Sequence, residues 1–233
     1  MNIPKSGESL TVGRSIDGRD ITLSAYGSGV QSILLIGGVH GDESEGFLLV
    51  ERFQQALAAG EFRPGDDVTL YVVPRLNPDG CANLRRTNGR NVDLNRNLPT
   101  RDWSGEFQNV RYYPGACAGS EPESELTLWL VDQLKPAAIF SMHSYENAMI
   151  NFNGDCEDLA RAMSEYNGLP PKGDIGYPTP GSLGTYTGWE RGIPTITLEI
   201  LRGQEPDAVW EQHARGLLAG VDYYATHPLP ARK

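Results

Sequence analysis

Cysteine and histidine are both scarce in this chain of 233 residues, with three of the first and four of the second. Cys81, Cys117 and Cys156 show no C-x-x-C spacing, and an odd number cannot all pair within one chain. A disulfide framework is therefore excluded as the main staple, and reduced thiols are expected. Long apolar runs are missing as well: no stretch approaches the roughly 20 residues of a membrane-spanning helix. The first eight residues, Met1 to Glu8, lack a basic segment followed by an apolar one, so no secretory signal is read there and a cytoplasmic location is expected. Positive charge is in deficit. A formal net charge of −10 argues against nucleic acid or an anionic membrane surface as partner. Aromatic residues are only 9% of the chain, but 39% of it is apolar. At this length that suffices for one α/β domain, residues 1–233, with a substantial core.

Apolar segments alternate with amphipathic ones. Strands are expected at Asp20–Tyr26, whose alternation suggests a sheet edge, at Ile33–Ile36, which reads as a buried central strand, and at Val68–Val73. Further strands are expected at Ala137–Met142, Asn147–Phe152 and Pro194–Ile200. Helices are expected at Glu43–Ala59, closed by Gly60, at Glu121–Lys135, with Ser120 and Glu123 as a capping box, at Asp155–Asn167, closed by Gly168, and at Pro206–Ala225. Residues 75–113 and 172–188 read as long polar loops, and structureless stretches of that length are usually functional or disordered. The pattern predicts a mixed, twisted sheet of about eight strands flanked by helices.

Two of the four histidines stand at strand ends. His40-Gly41-Asp42-Glu43 follows the run Ser32–Val39, and Ser141-Met142-His143-Ser144-Tyr145 closes another apolar run. The carboxyl ends of strands are where open α/β sheets place their chemistry. Two imidazoles and one carboxylate can serve as three ligands of a catalytic zinc, with a fourth position left for water. Glu199 ends a third apolar run, Thr195–Ile200, where a carboxylate needs a partner or a task. His213, among Glu211, Gln212 and Arg215, reads as solvated or packed between helices, and His227 reads as solvated.

Between these points lie Asn77-Pro78-Asp79-Gly80, Arg86-x-Asn88 and Asp93-Leu94-Asn95-Arg96-Asn97. Each alone is an ordinary turn or polar loop. In this order, from about Gly13 to Arg202, the chain resembles the zinc carboxypeptidases of the carboxypeptidase A superfamily. The resemblance implies one zinc ion held by His40, Glu43 and His143, with Glu199 as the general acid/base. It implies that Arg86 stabilises the oxyanion, with Arg85 as a rival because the loop leaves the register open by one. It further implies that Asn95 and Arg96 grip the terminal carboxylate of the substrate, that Tyr177 closes over it, and that the Ser144–Tyr145 peptide bond is cis. Arginine suits the gripping task because its planar fork holds a carboxylate through two parallel bonds.

Asp42 departs from the pancreatic members, which carry arginine between the first two ligands. The segment Tyr177-Pro178-Thr179-Pro180-Gly181-Ser182 and the Asn-Pro-Asp-Gly-Cys81 turn are similar to the bacterial murein amidase branch. That similarity implies a small peptide substrate, a murein tripeptide cut at its γ-D-glutamyl–meso-diaminopimelate bond. An acidic residue at position 42 can meet a substrate amine, so Asp42 or a nearby acid is expected to recognise the far ammonium of diaminopimelate. After His143, however, Ser144-Tyr145-Glu146-Asn147 is closer to general carboxypeptidases. An amidohydrolase of the succinylglutamate desuccinylase or aspartoacylase type is the alternative, and a non-catalytic zinc-binding domain a more distant one. The sequence does not set the oligomeric state and leaves a homodimer open.

Overall fold

Four apolar segments with both faces covered make the centre of the sheet. In the computed structural model, which describes residues 2–227, these are β3 (Gln31–Ile36), β4 (Val68–Val73), β5 (Ala138–Tyr145) and β8 (Thr195–Leu201). They run parallel in the order β4-β3-β5-β8. Burial on both faces is why they read as unbroken apolar runs instead of alternating ones. Outside β4 lie β2 (Asp20–Gly27) and β1 (Ser9–Arg14), both antiparallel. Outside β8 lie β6 (Met149–Asn153), antiparallel, and the two-residue β7 (Pro171–Lys172). The eight-stranded order is β1-β2-β4-β3-β5-β8-β6-β7, the mixed sheet expected.

Alternate residues of each central strand feed two cores. Ile33 and Leu35 face α1 (Ser44–Ala59), α4 (Glu157–Asn167) and α5 (Pro206–Thr226), where Phe53, Met163 and Leu217 are fully buried. Leu34 and Ile36 face α3 (Pro122–Leu134) through Leu126 and Leu130. Gly60 and Gly168 end their helices in the left-handed conformation, as expected of C-terminal glycines. No helix among the described residues is long and apolar enough to cross a membrane.

Several expectations need correcting. β2 is not an edge strand, because the short, half-polar β1 pairs with it and takes the edge. The N-cap of α3 is Glu121, with Pro122 in the first turn; Ser120 instead binds Glu121 and Asn97 through its hydroxyl, so no capping box forms. Asn77-Pro78-Asp79-Gly80 is more than a turn: it opens α2 (Pro78–Asn83), and the Asn77 side chain accepts the Gly80 amide. The end of the expected loop 172–188 is instead regular, forming a π-helical segment over Gly184–Trp189. Of the two readings of His213, the buried one holds, on α5, whereas His227 is exposed and stacks on Tyr223.

One close approach ties the first site motif to the second. A Cβ on Gly41 would lie 1.9 Å from the Gly80 carbonyl carbon. Only glycine lets the His40–Glu43 turn rest on the start of α2.

Candidate metal centre and active site

Where β3 ends, Gly37 and Gly38 carry the chain into a turn in which the Glu43 amide donates to the His40 carbonyl. Glu43 is then the residue from which α1 starts. His143 sits on the neighbouring β5, so both strand ends deliver side chains to one point. His40, Glu43 and His143 are all buried. His40 Nδ1 lies 3.0 Å from Glu43 Oε1 and 3.0 Å from His143 Nδ1, which is 2.8 Å from Glu43 Oε2.

The donor set fits a divalent cation. His40 Nε2 lies 3.0 Å from Asp93 Oδ1, and an ionised carboxylate only accepts, so the proton belongs on Nε2 and the Nδ1 lone pair faces inward. His143 Nε2 is anchored 3.0 Å from Ser141 Oγ. Two inward imidazole nitrogens and a carboxylate crowd together, and a shared cation relieves that crowding. Among the described residues, this is the one group of His, Cys, Asp and Glu that could hold a metal ion.

Asp93 is the hub beneath this centre. It accepts from His40, from Arg86 Nε at 2.9 Å and from the Asn95 amide at 3.0 Å. Burial opposes its charge, but Arg86 and His40 outweigh burial and hold its carboxyl well below the usual range. Arg86 also donates to Glu43 at 3.1 Å. Burial opposes the Glu43 charge too, yet the adjacent His40 and His143 hold it ionised. Glu199 is different. Burial first, then the negative Glu43, raise its carboxyl to about 7 against the opposing pull of His143 and Arg86.

A cavity of about 250 Å³ gathers His40, Glu43, His143, Glu199, Arg86, Asn95, Arg96 and Tyr177. Asn95 is fixed by accepting the Leu183 amide, and Arg96 by donating to the Asn95 carbonyl at 2.7 Å. The Arg86 and Arg96 guanidiniums stand 5.2 and 5.7 Å from the centroid of the Tyr112 ring, which spaces them.

The profile of the zinc carboxypeptidase family, Peptidase M14, matches residues 2–194. This chain belongs to the zinc carboxypeptidase family. It is 31% identical over 231 residues to murein peptide amidase A of Escherichia coli K12, covering 94% of this chain and 90% of that one. Carboxypeptidase SOL1 of Arabidopsis thaliana is 39% identical over 223 residues, covering 78% of this chain but 43% of that protein. The crystal structure of the murein-tripeptide amidase from E. coli O157 superposes with a TM-score of 0.75 at 25% identity, over 97% of this chain and 94% of that one. Carboxypeptidase A from Helicoverpa armigera shares the fold at a TM-score of 0.78 and 16% identity, over 94% and 69%.

As a zinc carboxypeptidase the chain is a metallohydrolase, and the structure refines several residues. Arg86 points into the cavity, whereas Arg85 lies outside it and reaches Asn91. Tyr177 is at the rim, 40% exposed, its ring 6.2 Å from Tyr145. Asp42 does not line the cavity that contains Arg96; it turns to Arg111 at 2.6 Å and lines a neighbouring one. The Ser144–Tyr145 bond is not cis: both residues continue β5 in register with Ile200 and Leu201, which keeps the backbone extended there. Tyr112, Arg111 and Arg202 line the site although no motif pointed to them. Arg111 and Tyr112 stand in a long polar segment without regular periodicity, and Arg202 directly follows β8, where its position gave no sign of its side chain turning to Glu43.

Proposed function

We propose that this protein hydrolyses the γ-D-glutamyl–meso-diaminopimelate amide of murein tripeptides, releasing diaminopimelate during cell-wall peptide recycling in the cytoplasm. The observation that carries the reading is the match to murein peptide amidase A, which spans nearly the full length of both chains. Three unpaired cysteines suit a reducing compartment.

Held by His40, Glu43 and His143, a zinc ion would supply Lewis acidity and lower the pKa of a water molecule. Glu199 takes the proton of the attacking water and delivers it to the departing amine. Burial opposes the charge on the Glu199 carboxyl, so it holds a proton more readily than a solvated glutamate, which suits both halves of that transfer. Arg86, braced by Asp93, donates to the carbonyl oxygen as negative charge grows on it. Asn95 and Arg96 hold the carboxylate of the departing residue, and Tyr177 covers it from the rim. Asp93 keeps His40 in the tautomer a metal requires.

The higher identity to a plant carboxypeptidase supports a second reading, release of an ordinary C-terminal amino acid. Mass spectrometry decides between them. The zinc-loaded protein is incubated with L-Ala-γ-D-Glu-meso-diaminopimelate, with its lysine analogue and with ordinary peptides. Free diaminopimelate, lost in Glu199→Gln, supports the amidase; release of ordinary C-terminal residues instead would replace it with the carboxypeptidase.

A further inference from the structure

A second cavity, of about 740 Å³, opens beside the metal centre, and the two meet at Arg86 and Arg111, which line both. We propose that this second cavity holds the acyl half of the substrate and recognises a carboxylate on it through Arg85 and Arg111. The proposal rests on the reading above, in which Asn95 and Arg96 hold the departing residue.

Direction comes first. Neither Asn95, Arg96 nor Tyr177 lines the second cavity. With the departing residue at Arg96 and the scissile carbonyl at Arg86, the acyl half runs away from Arg96. The cavity that begins at Arg86 lies along that path.

Charge comes second. In a chain of net charge −10, this cavity is lined by Arg85, Arg86, Arg90 and Arg111 against a single acid, Asp42. Arg86 is matched by Asp93 and Glu43, and Arg111 by Asp42. Arg90 meets Glu121 only at 3.8 Å. Arg85 forms no ion pair among the described residues. Its Nη1 reaches the neutral Asn91 side chain at 3.4 Å, and its Nε is buried without a hydrogen-bond partner. Buried donors are normally satisfied, and a guanidinium that lines a basic cavity without an ion pair is best satisfied by an anionic oxygen.

The shape of the proposed substrate supplies that oxygen. A γ-linked glutamyl residue leaves its α-carboxylate free, a few bonds from the scissile carbonyl. Asp42 lines the same cavity, and one of its carboxylate oxygens, Oδ1, has no hydrogen-bond partner. It can receive the ammonium of the preceding residue. The exposed side chains of Leu84, Phe107 and Val110 give the cavity an apolar wall for the intervening methylenes.

The test pairs L-Ala-γ-D-Glu-meso-diaminopimelate with the same peptide carrying an α-carboxamide on glutamate. Wild type should prefer the free acid by about 10- to 100-fold in kcat/KM, the scale of one charged hydrogen-bonded contact. Arg85→Met and Arg111→Met should each erode that preference, mainly by raising KM for the acid. Equal wild-type rates on the two peptides, or equal slowing of both by the variants, would overturn the proposal. If neither is cut but ordinary C-terminal residues are released, the amidase reading falls by itself. The comparison then uses N-glutaryl and N-(4-carbamoylbutanoyl) forms of the peptide that is cut. A glutaryl preference lost in Arg85→Met keeps the cavity's role, and equal rates end it.

Discussion

His143 and Glu199 are register partners on the parallel strands β5 and β8. Paired residues of adjacent strands leave the sheet on the same side, so a candidate metal ligand and a candidate proton carrier are delivered together by backbone pairing alone. Met149 of β6 pairs with Glu199 on its other side, and burial of the carboxyl is the main cause of its raised pKa. Glu199→Gln keeps size and polarity but cannot take a proton. It should lower kcat by roughly 10²–10⁴-fold. Zinc stoichiometry, read by elemental mass spectrometry, should be unchanged, because Glu199 stands outside the ligand triad. Loss of the metal along with activity would reassign Glu199 to the ligand set.

Asp93 links the candidate ligand His40 to Arg86 and to the Asn95 amide. Asp93→Asn retains the shape but can present an N–H to His40 Nε2. The imidazole proton is then no longer held on the outer nitrogen. Zinc affinity should fall by about 10- to 100-fold, the usual effect of losing such an outer partner. Competition against a chromogenic chelator would measure it, and an unchanged affinity would show that Asp93 does not set the tautomer.

The central strands and the triad were legible because their signals are local. Ile33–Ile36 and Ala138–Met142 are buried on both faces, and that produces unbroken apolar runs followed by His40 and His143. β1 was not legible, since SLTVGR is short and only Val12 is buried. The turn of Asp42 away from the cavity that contains Arg96 could not be read either. It depends on Arg111, 69 residues away, which pulls the carboxylate towards the second cavity. That Arg86 and not Arg85 lines the cavity of the candidate metal centre likewise depends on long-range partners, Glu43 and Asp93, that a one-residue uncertainty in register conceals.

Gly41 makes a separate, steric prediction. In Gly41→Ala the new Cβ would meet Gly80 carbon at 1.9 Å and the Cys81 amide nitrogen at 2.2 Å, both backbone atoms that cannot rotate away. The turn holding His40 and Glu43 must therefore separate from α2. Stability should drop by about 1–3 kcal/mol or more, as for overpacked cores. Zinc affinity should fall with it, because two ligands flank the displaced residue. Denaturant titration with and without zinc separates the two effects, and a variant of wild-type stability would mean that the loops are not in contact.

His213 should shape acid stability from a position unrelated to the chemistry. It is 1% exposed on α5, and neither ring nitrogen has a hydrogen-bond partner among the described residues. Burial pushes its pKa down to about 4. The unfolded chain, with an ordinary histidine near 6.5, binds a proton first as pH falls. Between these values the unfolded state holds more protons, so stability declines as pH drops from about 6.5 towards 4 and is greatest above that window. The full effect is roughly 3 kcal/mol, of which about 2 kcal/mol falls between pH 7 and pH 5. His213→Leu removes this one contribution and leaves the others in place. Urea titrations of both proteins at pH 7 and pH 5 should show the variant gaining about 2 kcal/mol relative to wild type at the lower pH. Parallel losses in the two proteins would mean that the imidazole is protonated inside the fold at a normal pH.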